Sequence, residues 1–229
     1  IVPTFAVLPH TGHLTSFRRG DNDRSVRLHV VGAKAKASHT HFDKGAVLLE
    51  VDGEPLLIDR GQVRYDDLRS YTLKRSELHN VITPVLPGGI YVQQGGVEQA
   101  VIPTGEGDER RLRAQVELGH VWRGVMSRCR RTVVSEELAS FVVRDEGELV
   151  TPGALSFHLH TRAPWKIDGC EARLAFARGE LVLSAPWADE IVQREDSIDF
   201  QLDPVWHLEC RVREAKAFAW ETRFAVVWR

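Results

Sequence analysis

Residues 39–59 read HTHFDKGAVLLEVDGEPLLID. His39 and His41 flank a single threonine, the run AVLLEV follows, Asp52-Gly53 interrupts it, and the second run PLLI closes on Asp59. Asp-Gly between apolar runs is a strong short-range signal for a β-hairpin, because a type I′ turn needs positive φ at both central residues. The stretch therefore predicts two antiparallel strands in which Asp59 pairs near Ala46, with His41 and Asp59 toward the same open end. His41 lies five residues before Ala46. The intervening segment must curl inward if the two side chains are to meet, and Lys44-Gly45 is the expected bend.

Outward from this hairpin the same period of two recurs, which is the mark of half-buried strands. Leu112, Ala114, Val116 and Leu118 alternate, as do Ala172, Leu174 and Phe176, then Leu208, Cys210 and Val212, and finally Phe224, Val226 and Trp228. Turn chemistry is expected at Pro87-Gly88-Gly89, across the polar stretch from Pro103 to Arg110, at Asp145 to Gly147, and at Pro152-Gly153, Asp168-Gly169 and Arg178-Gly179. Helical periodicity is scarce. Many short strands joined by tight turns imply an all-β protein, an antiparallel two-sheet β-sandwich, with 1–229 forming one domain. Trp122, Trp165, Trp187, Trp206, Trp220 and Trp228 sit at strand spacing, where a tryptophan is more often core than a sugar-stacking platform.

Composition narrows the function classes. The 229 residues carry a formal charge of −2, which excludes a globally basic nucleic-acid binder. Of 30 basic residues 24 are arginines, a side chain suited to bidentate recognition of carboxylate or sulfate, although a codon-biased surface explains the excess equally well. Cys129, Cys170 and Cys210 are scattered and odd in number, so neither a disulfide framework nor a paired-thiol metal motif is expected. No apolar run approaches the roughly 20 residues of a membrane span, and no signal peptide is visible. The chain begins Ile-Val-Pro, without methionine, which points to a processed or dissected piece of something longer.

Along an extended segment His39 and His41 face one side, since side chains alternate. Two imidazoles and the Asp59 carboxylate make half of a zinc site, zinc accepting nitrogen and carboxylate oxygen at about 2.0 to 2.2 Å. RSELHNVI, downstream, offers His79 outside any apolar face, followed by Asn80. The alternative is two solvated histidines and a turn aspartate. A second pair, His158 and His160 in SFHLHT, also shares a strand face, and there a half-buried strand with a polar outer face is an equal explanation. His10, His13, His29, His120 and His207 are isolated and read as satisfied surface or core residues.

Taken together, SHTHFDKGAVLLEVDGEPLLIDRGQVRY and the later RSELHNVI resemble the C-terminal β-sheet domain of the heparinase II/III-like polysaccharide lyases, a group that includes alginate and oligoalginate lyases. The matching elements are histidine-x-histidine, the hairpin with its proline and terminal aspartate-x-glycine, and the histidine-asparagine pair. The match is specific over about Pro9 to Pro84 and architectural beyond it. The resemblance implies that His41, Asp59 and His79 hold a structural Zn2+ and that His39 faces the cleft as a catalytic histidine. It places Arg75 and Asn80 around the substrate or behind the ligands. Family enzymes cleave uronic-acid glycans, heparan-sulfate-like or alginate-like, by β-elimination. The C5 carboxylate is neutralised, a base takes the C5 proton, and an acid protonates the departing C4 oxygen. In full-length relatives a tyrosine comes from a helical toroid that has no counterpart in this sequence. Tyr71 is the best local substitute, and the isolated chain resembles half of an active site. The implied partner is an acidic polysaccharide or oligosaccharide, the implied location periplasmic or secreted for a polymer substrate, with a cytoplasmic one for oligosaccharides.

Two rivals predict different residues. A cupin-like metalloenzyme also uses histidine-x-histidine and a later histidine, but it wants a glutamate where Gly45 and Ala46 stand, and the nearest is Glu50. A non-catalytic acidic-glycan-binding module predicts binding that survives loss of His39 and His41.

Overall fold

The computed structural model describes residues 4–36, 40–95, 98–196 and 204–229. His39 lies outside them. Two antiparallel sheets dominate, with about 59% strand and 6% helix. The smaller sheet is a meander of β1 (Phe5–Leu8), β2 (His13–Arg19), β3 (Ser25–Val31), β4 (Val47–Val51) and β5 (Glu54–Leu57), in that spatial order. A short helix, α1 (Arg69–Leu73), and a 3-10 turn at Ser76–Leu78 lead out of it.

The larger sheet has eleven strands. They are β6 (Ile82–Leu86), β7 (Ile90–Tyr91), β8 (Thr104–Gly107), β9 (Leu112–Glu117), β10 (Met126–Glu137), β11 (Ser140–Thr161), β12 (Trp165–Asp168), β13 (Glu171–Phe176), β14 (Gly179–Ser184), β15 (Glu190–Asp196) and β16 (Val205–Trp228). Its main path runs β12-β13-β14-β16-β11-β10-β9-β8, with β15 added on β16 and β6 and β7 added on β11. Inward residues of both sheets, such as Leu28, Leu49 and Val51 from one and Val116, Val133, Phe141 and Leu155 from the other, join a single apolar cluster. Each fully buried aliphatic side chain contributes about 1.5–3 kcal/mol, which explains why the period-two pattern decides the architecture. Trp122 and Trp165 are core, and Trp187 stacks on Trp220 at 4.4 Å. Cys129 and Cys210 are buried and free, and Cys170 is exposed and free.

The hairpin forms as its turn chemistry requires. Asp52 has φ 52° and Gly53 φ 82°, both in the left-handed region, and Val51 pairs with Glu54. A register shift between Leu49 and Glu50 then sets Leu49 opposite Leu57. The pairing therefore runs one residue off the predicted register, and an extension of it would bring Asp59 toward Val47 rather than Ala46.

Three expected turns are strand instead. Asp145 to Gly147 lies inside β11, opposite Arg131 to Cys129 of β10. The Asp145 carboxylate is buried in a two-bond contact with Arg131 (2.8 and 2.9 Å), so it is an interior ion pair and not a turn acid. Gly147 is small because an added Cβ would stand 2.4 Å from the Phe218 ring. Pro152-Gly153 falls at register shifts within β11, where the partner on one side changes from β10 to β6. The polar stretch after Pro103 contains the edge strand β8. Among the described residues no helix is long and apolar enough to cross a membrane.

Candidate metal centre at the cleft

The segment before β4 curls inward, and a buried lysine holds it there. Lys44 is fully buried, and its ammonium donates to Thr40 Oγ1 (2.7 Å) and to the His41 carbonyl, with the Asp43 carboxylate at 3.4 Å. Its backbone is clamped by Gln94, whose Oε1 accepts from Lys44 N (2.9 Å) and whose Nε2 donates to Lys44 O (2.8 Å). Gly45 at φ 86° makes the bend, and Gly45 N reaches Val31 O. Phe42 N donates to Lys74 O, which sets the loop beside α1.

This curl brings His41 to Asp59 and His79. One ligand atom from each of the three lies within 4.8 Å of the others. His79 Nδ1 meets Asp59 Oδ2 at 2.8 Å, and Asp59 Oδ1 accepts from Gly61 N at 2.7 Å. His41 and His79 have ring centroids 5.2 Å apart, and His41 Nε2 contacts Gln62 Oε1. Burial alone favours neutral forms for both members of the Asp59–His79 pair. The mutual charge and hydrogen bond outweigh it, holding Asp59 below the usual carboxylate range and His79 above the usual imidazole range. Burial lowers His41. His79 Nε2 is buried with no hydrogen-bond partner among the described residues. Two imidazoles and a carboxylate whose ligand atoms converge are a donor set that fits a zinc ion.

That cleft has a volume of about 500 Å³, and His10, His13, His29, Lys34, His41 and Asp59 are on its wall. The other sequence candidates occupy different positions. Asn80 is fully buried, with Nδ2 donating to Val47 O and Ile58 O and Oδ1 accepting from the His160 backbone and ring. It joins β4, the end of β5 and β11 directly behind His79. Arg75 is half-exposed and paired with Glu77 at 2.5 Å. Tyr71, on α1, is 69% exposed and has the Lys74 ammonium 5.7 Å from its ring. Glu50, the cupin candidate, pairs with Arg27 on the neighbouring strand, away from the three ligands.

Sequence reasoning missed Lys44, Gln62, Gln94 and Arg131 as parts of this centre. Arg131 Nη1 donates to the carbonyls of Gly45 and Asn80, so one buried guanidinium supports both ligand-bearing loops. Only Lys44, set against Gly45 at the bend, left a signal in the sequence.

The fold and this centre define a β-sandwich with a two-histidine, one-aspartate cluster at a cleft. No protein-family model and no curated protein matches the chain. Solved structures do. A heparinase III matches with TM-score 0.77 and 13% identity, over 100% of this chain and 37% of its own. The heparan sulfate lyase HepC from Pedobacter heparinus gives 0.75 and 13%, over 100% and 37%. The chain thus has a fold found within heparinase III structures and spans a little over a third of their length. A 4-alpha-glucanotransferase from Thermococcus litoralis shares it more distantly, with TM-score 0.53 and 11% identity, over 99% and 42%. Since a glucanotransferase and lyases share the architecture, the site must choose the chemistry.

Proposed function

We propose that this chain is the zinc-containing β-domain of a polysaccharide lyase that acts by β-elimination on uronic-acid glycans of the heparan-sulfate or alginate kind. The observation that carries the reading is the convergence of His41, Asp59 and His79, the first two on the cleft wall and His79 buried behind them, in a fold shared with heparinase III. A zinc ion held by these three side chains would serve as a structural clamp for the loop that leads to His39. His39 is two residues from His41. In this proposal it handles a proton at the reacting sugar, either taking it from C5 or giving it to the C4 oxygen as the C4–O bond breaks. Lys44, Gln94 and Arg131 fix the loop from below. Arg75 would serve as a substrate contact, and Asn80 acts through His79 and the Ile58 carbonyl rather than on the sugar. Tyr71 is exposed enough to reach a substrate. A helical toroid, in cis or in trans, supplies the remaining acid–base group and the neutralisation of the carboxylate. A polymer substrate puts the parent protein in the periplasm or outside the cell.

The test is metal content of protein purified without added metal, beside Asp59→Ala, together with incubation on heparan sulfate, alginate and hyaluronan. The parent is expected to hold about one zinc per chain more than the variant. The isolated chain is expected to give no ultraviolet absorbance of an unsaturated uronate until the helical part is supplied. Loss of glycan binding in His39→Ala and His41→Ala supports the lyase reading; binding that survives both changes overturns it in favour of a non-catalytic module.

A further inference from the structure

A second cluster of the same donor chemistry lies inside the larger sheet. His158 of β11 stands opposite Glu209 of β16, and His160 opposite His207, so all four share one face. The sequence left a ligand pair and a polar outer face as equal readings of His158 and His160. All four side chains are fully buried, because Asn80, Thr83 and Tyr91 cover that face. Burial holds the three imidazoles neutral, His158 down to about 3 and the other two also well below their ordinary value.

We propose that His158, His207 and Glu209 form a second, buried site for a divalent metal of the zinc or cobalt class. Ligand atoms of these three lie within 4.8 Å of one another. His158 Nδ1 is 2.9 Å from His207 Nε2, and His207 Nε2 is 3.9 Å from Glu209 Oε1. A tetrahedral ion with bonds of about 2.0–2.1 Å wants its ligands about 3.3 Å apart, between these two separations. Without a cation the two facing nitrogens must share one proton, and the metal takes the place of that proton.

For two of the three ligands the outer atoms are held as a metal site requires. His158 Nε2 is bonded to Thr83 Oγ1 at 2.6 Å, which leaves Nδ1 for the ion. Glu209 Oε2 is fixed by Tyr91 Oη (2.7 Å), Ser156 Oγ (3.1 Å) and Arg211 Nε (3.0 Å), which leaves Oε1. His160 Nδ1 is committed to Asn80 Oδ1, so its Nε2 carries a lone pair, and it has no hydrogen-bond partner among the described residues. His207 Nδ1, in the same cluster, has none either.

One group competes. Arg194 Nη1 bonds Glu209 Oε1, holding the oxygen a metal needs. Its side chain is 45% exposed on β15, so it can turn to solvent while Arg211 stays on the other oxygen. A pocket of about 360 Å³, walled by Tyr91, Ser156, Glu209 and Arg211, lies beside the cluster on the Oε2 side of Glu209.

The site is independent of the lyase reading, and its test separates the two. Untagged Asp59→Ala, which silences the rim cluster, is stripped with chelator and titrated with Co(II), with binding read by visible absorption and by plasma mass spectrometry. One Co(II) per chain with tetrahedral d–d bands is expected. It should be lost in Asp59→Ala with Glu209→Gln or His207→Gln, and tightened about tenfold in Asp59→Ala with Arg194→Gln, where the competing charge is gone. The Arg194 change lies on an exposed side chain, so it tests the site even where a buried substitution fails to fold. No Co(II) in folded Asp59→Ala and none after Arg194→Gln overturns the proposal, whatever the rim cluster does in the parent protein.

Discussion

The rim cluster and the inner cluster use the same chemical vocabulary, two imidazoles and a carboxylate, in opposite electrostatic settings. Asp59 is about 30% exposed and is met by His79 and one backbone N–H from Gly61. Glu209 is buried and carries two arginines, Arg194 and Arg211. At the rim a metal competes with the proton between Asp59 and His79 and with the Gln62 contact of His41. Inside, it must also displace a guanidinium. A list of ligand residues therefore does not rank sites, because the charge already holding each carboxylate sets the affinity a metal can reach.

The comparison can be broken hardest through the residues that join the two regions. Arg131→Met removes the partner of the buried Asp145 and the donor to Gly45 O and Asn80 O. A loss of about 3–5 kcal/mol is expected in a denaturant titration, with rim zinc falling in parallel. Should zinc stoichiometry persist in the folded fraction, the two loops are held by something other than Arg131.

Asn80→Ala comes next. It unpairs the carbonyls of Val47 and Ile58 and the ring of His160, at about 1–3 kcal/mol. Because Asn80 follows His79 in the chain, holds the Ile58 carbonyl next to Asp59 and bonds His160, metal binding at each cluster is expected to weaken, by about tenfold or more at the rim. A variant that loses stability while rim affinity stays unchanged would show that Asn80 only packs.

A smaller effect concerns the His13–His29 pair on the cleft wall, whose nitrogens are 3.1 Å apart. Burial first, and then the His13 charge, lowers His29 to about 4, against 6.5 in the unfolded chain. Between these values the unfolded state binds more protons, so this group contributes stability that is complete above about pH 6.5 and is lost as pH falls toward 4. Melting temperatures measured from pH 4 to 8 should rise to a plateau near 6.5, and His29→Asn should flatten the slope. An unchanged slope would assign the acid sensitivity to other groups.

The smallest change is at the hairpin tip. Gly53 sits at φ 82° with no atom within 4 Å of an added Cβ, so Gly53→Ala costs backbone strain alone, about 1 kcal/mol. Both metal centres should be untouched. A drop in rim zinc would mean that the hairpin register, and not only its loops, tunes the ligands.

Local chemistry made much of this protein legible in its sequence. Apolar residues at period two marked the strands, Asp52-Gly53 fixed a type I′ hairpin, and histidine-x-histidine with Asp59 and His79 pointed to three side chains that the fold brings together. These signals act within a few residues, where sterics and alternation decide conformation. The rest depended on pairings across long stretches of chain. Asp145 read as a turn acid until Arg131 stood opposite it, and an outer face was an equal reading of His158 and His160 until Asn80, Thr83 and Tyr91 covered them. His207 read as isolated until β16 lay against β11. Whether a polar strand face meets water or other side chains is a property of its distant neighbours, and only the tertiary structure supplies those.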